Sequence, residues 1–236
     1  MFALIVALSL AASPQPIATP AQISGAPLRE IVFKVSYTRH ERLNEESFGG
    51  GLEPQPAQQG ADESDEGTVT VDEMTDVGDT LGLKVVENWN QRRPATYTGS
   101  VAPDGSIHFS DQSLSEVSTY LLPFIAPLWT NGRPLDVGTS WTSTYGSATV
   151  DASVTYSITA VARDAVTVLE NQKVTVRSAR GMDGFTTGTV VYKPSMLVPI
   201  LGKFERRSGR GDATSSDVET MVINFTRVSD SLDNGK

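Results

Sequence analysis

The sequence predicts a mainly β protein: a large curved antiparallel meander, a half-barrel or barrel, with one covering helix near residues 113–122. Three observations predict this class. Apolar and polar residues alternate over 150–160, as they do in a strand with one buried face. Turn residues recur about every ten positions, which is typical of short antiparallel strands. Only one segment of the chain has helical periodicity.

The first half of the meander starts near Leu28 and belongs to a single domain that we expect to span 28–230. Residues 44–67 are rich in Gly, Pro, Gln and acids and predict a flexible acidic loop. Further on, Pro103-Asp104-Gly105 predicts the turn of a hairpin. The motif Asp-Val-Gly occurs at Asp76 and again at Asp136, as an internal repeat or as a chance match of turn composition.

The covering helix is predicted from its cap and its apolar face. Ser113 precedes Glu116 by three residues, which is the spacing of a capping box. Pro123 should end the helix near Leu122, because the residue before a proline is disfavoured in the α region. Three apolar side chains share one helical face: Leu114, Val117 and Leu121.

The second half reads as consecutive strands. The alternation over 150–160 gives one apolar face, and 218–228 keeps the same pattern. Pairs of turn-forming residues at 163–164, 171–172 and 183–184 predict the connections between these strands. About nine or ten strands result, and a sheet of that size has to curl to cover its apolar face.

The N-terminal residues 1–21 predict a signal peptide. Their apolar run is too short to cross a bilayer as a helix, so no transmembrane segment is expected in the mature chain. The run lacks the usual basic n-region, which agrees with a start a few residues upstream; a buried N-terminal strand or helix is the alternative. Export predicts a periplasmic or secreted protein of the bacterial envelope, and residues 231–236 read as a polar tail.

Composition excludes several classes of function. The chain has no cysteine, which rules out disulfides, thiolate chemistry, iron–sulfur clusters and an N-terminal lipid anchor on cysteine. The net charge is −9, but 12 of the 28 acids and one of the 19 bases lie within 41–79. The remainder holds 16 acids and 18 bases, so the acidity is local and no nucleic-acid partner is expected.

No arrangement of residues predicts catalysis. The two histidines, His40 and His108, each sit at the end of a strand without convergent partners. The sequence contains no nucleophile elbow, phosphate loop or dinucleotide fingerprint. Hydrolysis by paired carboxylates needs no motif and stays open. We therefore predict no catalytic residue, no metal site, no cofactor and a non-enzymatic protein.

The predicted binding site lies under the helix and the apolar run that follows it. Residues 121–129 read as the end of the helix and then an extended, proline-punctuated flap across the sheet. The expected ligand is a lipid or another hydrophobic small molecule. The alternative is a structural or protein-interaction module of the cell envelope that uses the acidic loop. The predicted ligand-binding residues are Leu121, Leu122, Phe124, Ile125, Leu128, Trp129 and Trp141.

The segment "PLDVGTSW", residues 134–141, and the meander after it resemble a group of uncharacterised exported bacterial β-rich proteins. In that group a "vGdsW"-type turn opens the C-terminal sheet; this chain has Thr139 where the group often has an acid. Residues 187–209 resemble the group's two-strand unit, and 226–232 resemble its usual ending. The predicted shape also resembles periplasmic lipoprotein carriers. These motifs are structural and imply a β-rich exported domain without a catalytic assignment.

Overall fold

A computed structural model gives the fold of the chain. It describes residues 27–43, 58–77, 80–101, 107–109, 114–125, 133–146, 150–176, 182–211 and 216–234. The strands are β1 (Arg29–Leu43), β2 (Gln58–Val77), β3 (Thr80–Trp89), β4 (Ala95–Val101), β5 (Ile107–Phe109), β6 (Ser140–Gly146), β7 (Val150–Ala162), β8 (Ala165–Val176), β9 (Met182–Lys193), β10 (Val198–Gly211) and β11 (Ser216–Asp230). The helices are α1 (Glu116–Leu121) and two 3₁₀ helices, Leu122–Phe124 and Ser231–Asn234.

All eleven strands form one antiparallel sheet in the order β5-β4-β3-β2-β1-β11-β10-β9-β8-β7-β6. The fold class predicted from the sequence is confirmed, with eleven strands rather than nine or ten. The first and last strands, β1 and β11, pair at the centre of the sheet. The sheet does not close among the described residues, and its two edges are β5 and β6.

Period-two alternation explains which face is buried. On β1 the side chains of Ile31, Phe33, Val35 and Tyr37 are buried, and the residues between them are less so. The face that carries these residues, called the inner face below, continues on every strand that pairs with β1. Phe33 meets Phe225 of β11 edge to face, with ring centroids 6.0 Å apart. The described core is therefore one continuous apolar layer on this face.

Two predicted turns are wrong. Residues 171–172 lie inside β8, and residues 183–184 lie inside β9. Asn171 is exposed on the outer face, where its Oδ1 accepts a 3.2 Å hydrogen bond from Thr187 Oγ1 on the neighbouring strand. Asn171 is a turn-forming residue type, but here it is a polar residue at an outward-facing position of a strand, so its presence did not indicate a turn. The turn at Arg163-Asp164, between β7 and β8, is confirmed.

A β-bulge changes the end of β7. The pairing with β8 shifts between Ile158 and Ala160, so Ile158 is buried while Ala160 is exposed. The alternation that predicted both residues on the apolar face therefore fails at its last position.

The predicted acidic loop is partly a strand. Residues 58–67 form the first half of β2 and pair with β1. Their acids meet basic partners: Glu63 lies 2.6 Å from Arg92, and Asp62 lies 2.7 Å from His40. These contacts give the acids of β2 polar partners, whereas the Gly, Pro, Gln and acid content of the segment had predicted a loop. Residues 44–57 lie outside the described residues.

The helix is confirmed, but its cap is not the predicted one. Ser115 caps α1, because its side chain accepts a hydrogen bond from the backbone N–H of Ser118. Ser113 lies outside the described residues. Residues 122–124 form a 3₁₀ helix instead of an extended flap, because Pro123 fits the first turn of a helix. Across the described ranges, no helix has both the length and the apolar character needed to cross a membrane.

The Asp-Val-Gly turn that leads into β6 is confirmed. Thr139 N–H donates to the Asp136 carbonyl over 3.0 Å, and Gly138 has a φ of 91°, which only glycine adopts without strain. The Gly138 N–H also donates to the Ile158 carbonyl on β7. The turn therefore anchors the start of β6. At Asp76, in contrast, the same motif begins within the end of β2, so the two segments do not share one structural context.

Candidate functional site

The candidate site lies between α1 and the inner face of the sheet. Residues 110–139 connect the two edge strands, β5 and β6, and their described part carries α1. The helix contacts β1, β10 and β11, the central strands of the sheet. The described part of the connection therefore lies over the middle of the inner face.

A buried carboxylate on β3 holds the first turn of α1. Glu87 is 2% exposed, and its Oε1 accepts hydrogen bonds from the hydroxyls of Ser115, at 2.7 Å, and Ser118. Its Oε2 accepts a 3.1 Å hydrogen bond from Trp89 Nε1. The charge of Glu87 also lies near the positive end of the helix dipole. The beginning of α1 is thus fixed to β3.

Two further contacts fix α1 to the opposite half of the sheet. Glu116 forms a 2.6 Å ion pair with Arg206 of β10, and Tyr120 hydrogen-bonds Thr186 of β9 over 2.9 Å. In the sheet β3 and β9 are five strand spacings apart, roughly 24 Å along a flat sheet. A six-residue helix is only about 9 Å long. The sheet must therefore curve around α1 for both contacts to form.

The end of α1 and the 3₁₀ helix insert apolar side chains into the core. Four of the predicted ligand-binding residues are buried there: Leu121, Leu122, Phe124 and Ile125. The ring of Phe124 meets Tyr156 edge to face at 6.0 Å and lies 6.3 Å from the ring of Phe204. The structure therefore places these residues together, against the aromatic side chains of β7 and β10.

The other three predicted residues have different outcomes. Trp141 is half-buried on β6 and stacks on Tyr156, with ring centroids 5.4 Å apart. The guanidinium of Arg133 lies 5.2 Å from the centroid of Trp141, as in a cation–π contact. Leu128 and Trp129 lie outside the described residues. Trp141 thus joins the same aromatic cluster from the edge of the sheet.

Glu170, a carboxyl group on the inner face of β8, is not among the residues predicted from the sequence. Only 5% of its surface is accessible, and none of the described residues hydrogen-bonds or ion-pairs with it. Burial raises the pKa of Glu170 to about 8, so the group is mostly protonated at neutral pH.

Aromatic residues lie beside Glu170. Tyr156 faces it directly across the β7–β8 pair, and Gly188 faces it across the β8–β9 pair. A Cβ at Gly188 would come within 2.1 Å of the Phe204 ring, so that ring fills the space that a side chain would take. Burial raises the pKa of Tyr120 to about 12, and the nearby Glu170 adds to this rise. The carboxyl group of Glu170 therefore lies among aromatic side chains.

One signal in the sequence points to Glu170. Val166 and Val168 are buried, and Glu170 follows in the same period-two phase. Continued alternation would have placed it on the inner face. The turn predicted at 171–172 ended that strand too early.

The two histidines do not form a metal-binding cluster among the described residues. His40 is exposed and pairs with Asp62. The side chain of His108 lies outside the described residues, although its backbone pairs with Ser100. Within the part of the chain that the structure describes, no three His, Asp or Glu side chains are placed to hold a metal ion.

The Ser115→Ala substitution is expected to lower the free energy of unfolding by about 1–2 kcal/mol. It removes the cap of α1 and one hydrogen bond to the buried Glu87. Urea unfolding monitored by circular dichroism measures the change. Ser36→Ala on β1, which alternates with the buried Val35 and Tyr37, is the control and should change stability by less than about 0.5 kcal/mol. Equal effects of both substitutions would show that the cap does not stabilise the helix.

Comparisons with known proteins assign no family. No protein-family model matches the chain, and no curated protein matches it. Among solved structures, Ail, the attachment invasion locus protein of Yersinia pestis, aligns with 86% of this chain and 100% of its own, at 9% identity and a TM-score of 0.21. Its complex with the heparin analogue sucrose octasulfate aligns with 85% of this chain and 99% of its own, at 8% identity and 0.21. Neisserial surface protein A aligns with 84% of this chain and 97% of its own, at 7% identity and a TM-score of 0.18.

TM-scores near 0.2 do not indicate a shared fold, so these structures assign no function to the chain. The resemblance to the "vGdsW" group and to lipoprotein carriers is not tested by them and stays a prediction.

Proposed function

We propose that this chain is an exported, non-enzymatic β-domain that binds a lipid or another hydrophobic small molecule between α1 and the inner face. One observation carries the proposal. The middle of a continuous apolar face is covered by a short helical segment that pairs with no strand. A six-residue helix has little stability of its own, so its position depends on those apolar contacts. An apolar ligand can compete for the same surface.

The two ends of this segment are held differently. Its polar contacts come from Ser115, Glu116, Ser118 and Tyr120, at the beginning. Residues 121–125 are Leu, Leu, Pro, Phe and Ile, which have no side-chain hydrogen-bonding group. Each buried side chain of this type contributes roughly 1.5–3 kcal/mol, a gain that an acyl chain can match. We therefore expect the ligand to displace residues 121–125 while the polar end stays attached.

Location in the bacterial envelope is part of the proposal and is supported by the signal-peptide pattern of residues 1–21. The shape-level resemblance to lipoprotein carriers agrees with it. An apolar site of this kind can shield one hydrophobic molecule from water during transfer.

Titration of the delipidated protein with 11-(dansylamino)undecanoic acid tests the proposal. Saturable binding with a blue shift of the dansyl emission is the expected result, because the fluorophore enters an apolar site. Absence of saturable binding both of this anionic probe and of the neutral 1-decanol would rule out the proposed function.

The Phe124→Ala variant tests whether residues 121–125 are displaced. Removing a competing side chain should tighten dansyl-fatty-acid binding by about tenfold, because less apolar contact is lost on displacement. Phe185→Ala, on the outer face of β9, is the matched control and should leave the affinity unchanged. Weaker binding to Phe124→Ala would mean that Phe124 forms a wall of the site and stays in place.

A further inference from the structure

Glu170 is a buried acid that the fold does not use. It lies on the inner face of β8, and its carboxyl group has no hydrogen-bond or ion-pair partner in the described ranges. Burying a polar group without a partner costs free energy, so the stability of the fold does not explain a glutamate at this position.

The surroundings of Glu170 select the charge of that ligand. Tyr156 lies across from it on β7, at a Cβ–Cβ separation of roughly 5 Å for such a pair. On the other side, the ring of Phe204 covers Gly188, and Tyr120 stacks on Phe204 with centroids 5.0 Å apart. Aromatic faces attract organic cations, and a carboxylate supplies the opposite charge.

We propose that Glu170, with the rings of Tyr156, Phe204 and Tyr120, recognises the ammonium group of an amphiphilic amine whose apolar tail lies on the inner face. This inference rests on the proposed function and names the polar group of its ligand. Above pH 8 an anionic head group would meet the negative charge of Glu170. A metal ion would need several oxygen ligands, which the rings do not supply.

At pH 7, where Glu170 is mostly protonated, binding of the ammonium group releases its proton. The protonated carboxyl of Glu170 loses H⁺ to solvent, and the resulting carboxylate pairs with the cation. The charged groups nearby are already paired, since Arg206 of β10 binds Glu116 of α1 and Glu219 of β11. The other titratable groups that face Glu170 are Tyr156 and Tyr120, and burial raises the pKa of Tyr120 to about 12. Glu170 is thus the group that changes charge between pH 7 and pH 9, since its pKa is about 8.

Calorimetric titration of the full chain with three ten-carbon probes, each below its micelle concentration, tests the inference. Decyltrimethylammonium carries a permanent charge, 1-decanol is neutral, and decanoate is anionic. At pH 9 the wild type should bind the ammonium probe at least about tenfold more tightly than the other two. The affinity of the wild type for this probe should fall about tenfold from pH 9 to pH 7, because Glu170 becomes protonated. The probe itself does not titrate, so the fall reports the protein group. The affinity for decanol should not fall.

The Glu170→Gln variant should lose the preference for the ammonium probe and keep its affinity for decanol. Glu205→Gln is the matched control, because Glu205 is exposed on the outer face of β10 and carries the same charge. An ammonium affinity that is the same in the wild type and in Glu170→Gln, or that does not change with pH in the wild type, overturns this inference. If decanol still binds, the proposed function survives; if no probe binds, both fail.

Discussion

At pH 9 the Glu170→Gln variant is expected to be more stable than the wild type by roughly 3–5 kcal/mol, of which about 5 kcal/mol is the upper bound set by the two pKa values. The carboxyl of Glu170 is buried with no partner among the described residues, and burial raises its pKa to about 8. In the unfolded chain a glutamate ionises near pH 4.3. At pH 9 folding of the wild type therefore either buries a charged carboxylate or requires Glu170 to take up a proton at a pH above its pKa, and both cost free energy. Glutamine has neither cost, because it does not ionise.

The sign of the pH dependence follows from proton binding. Between about pH 4.5 and pH 8 the folded state binds more protons than the unfolded state at this residue, so its contribution to stability falls as pH rises. The difference between the variant and the wild type should therefore be smallest below pH 4.5 and reach its maximum above pH 8.

Urea unfolding at pH 4.5, 6.5 and 9 measures this difference, with Glu205→Gln as the control. The exposed Glu205 should give a difference that is small and nearly independent of pH. A Glu170→Gln variant that is less stable than the wild type at pH 9 would contradict the buried, unpartnered state of this carboxyl group.

Phe204→Ala is expected to destabilise the protein by about 3–5 kcal/mol, the usual cost of emptying a buried aromatic site. Phe204 is fully buried where α1, β10 and β11 meet. Its ring contacts those of Tyr120, Phe124 and Phe225 at centroid distances of 5.0, 6.3 and 6.0 Å. It also occupies the space above Gly188, so its removal leaves a cavity that the backbone cannot easily fill.

Phe185→Ala is the control for this prediction. Phe185 lies on the neighbouring strand β9, points to the outer face, is 52% exposed and contacts Lys173. Its removal should cost less than about 1 kcal/mol. Thermal and urea unfolding of both variants give the two values. Similar losses in the two variants would mean that the aromatic cluster under α1 does not stabilise the fold.

Much of the fold could be predicted because one rule, period-two alternation, operates along almost every strand. The buried positions of β7 up to Ile158 and those of β11 were identified in this way. The rule failed in a strand segment whose side chains are polar and contact other polar side chains instead of packing into the apolar core. The first half of β2 carries Asp62 and Glu63, whose partners, His40 and Arg92, are distant in sequence.

The candidate site was only partly predictable, for a similar reason. The buried residues 121–125 follow from apolarity alone. Glu170 does not, because an isolated glutamate in a strand is ordinarily exposed. Its burial depends on Gly188 and Phe204, which become its neighbours only through the pairing of β8, β9 and β10. Register of this kind is set by the whole sheet.

The pairing of β1 with β11 also determines the order in which the protein can fold. Strands β1–β5 and strands β6–β11 each form a local meander of hairpins, whereas Val35 of β1 pairs with Phe225 of β11, 190 positions later. Joining such distant segments carries a larger loop-closure entropy than any hairpin and slows folding. The pairing of β1 with β11 therefore has to wait until the last strand is available. A chain that emerges from a ribosome or a translocation channel completes the centre of its sheet last.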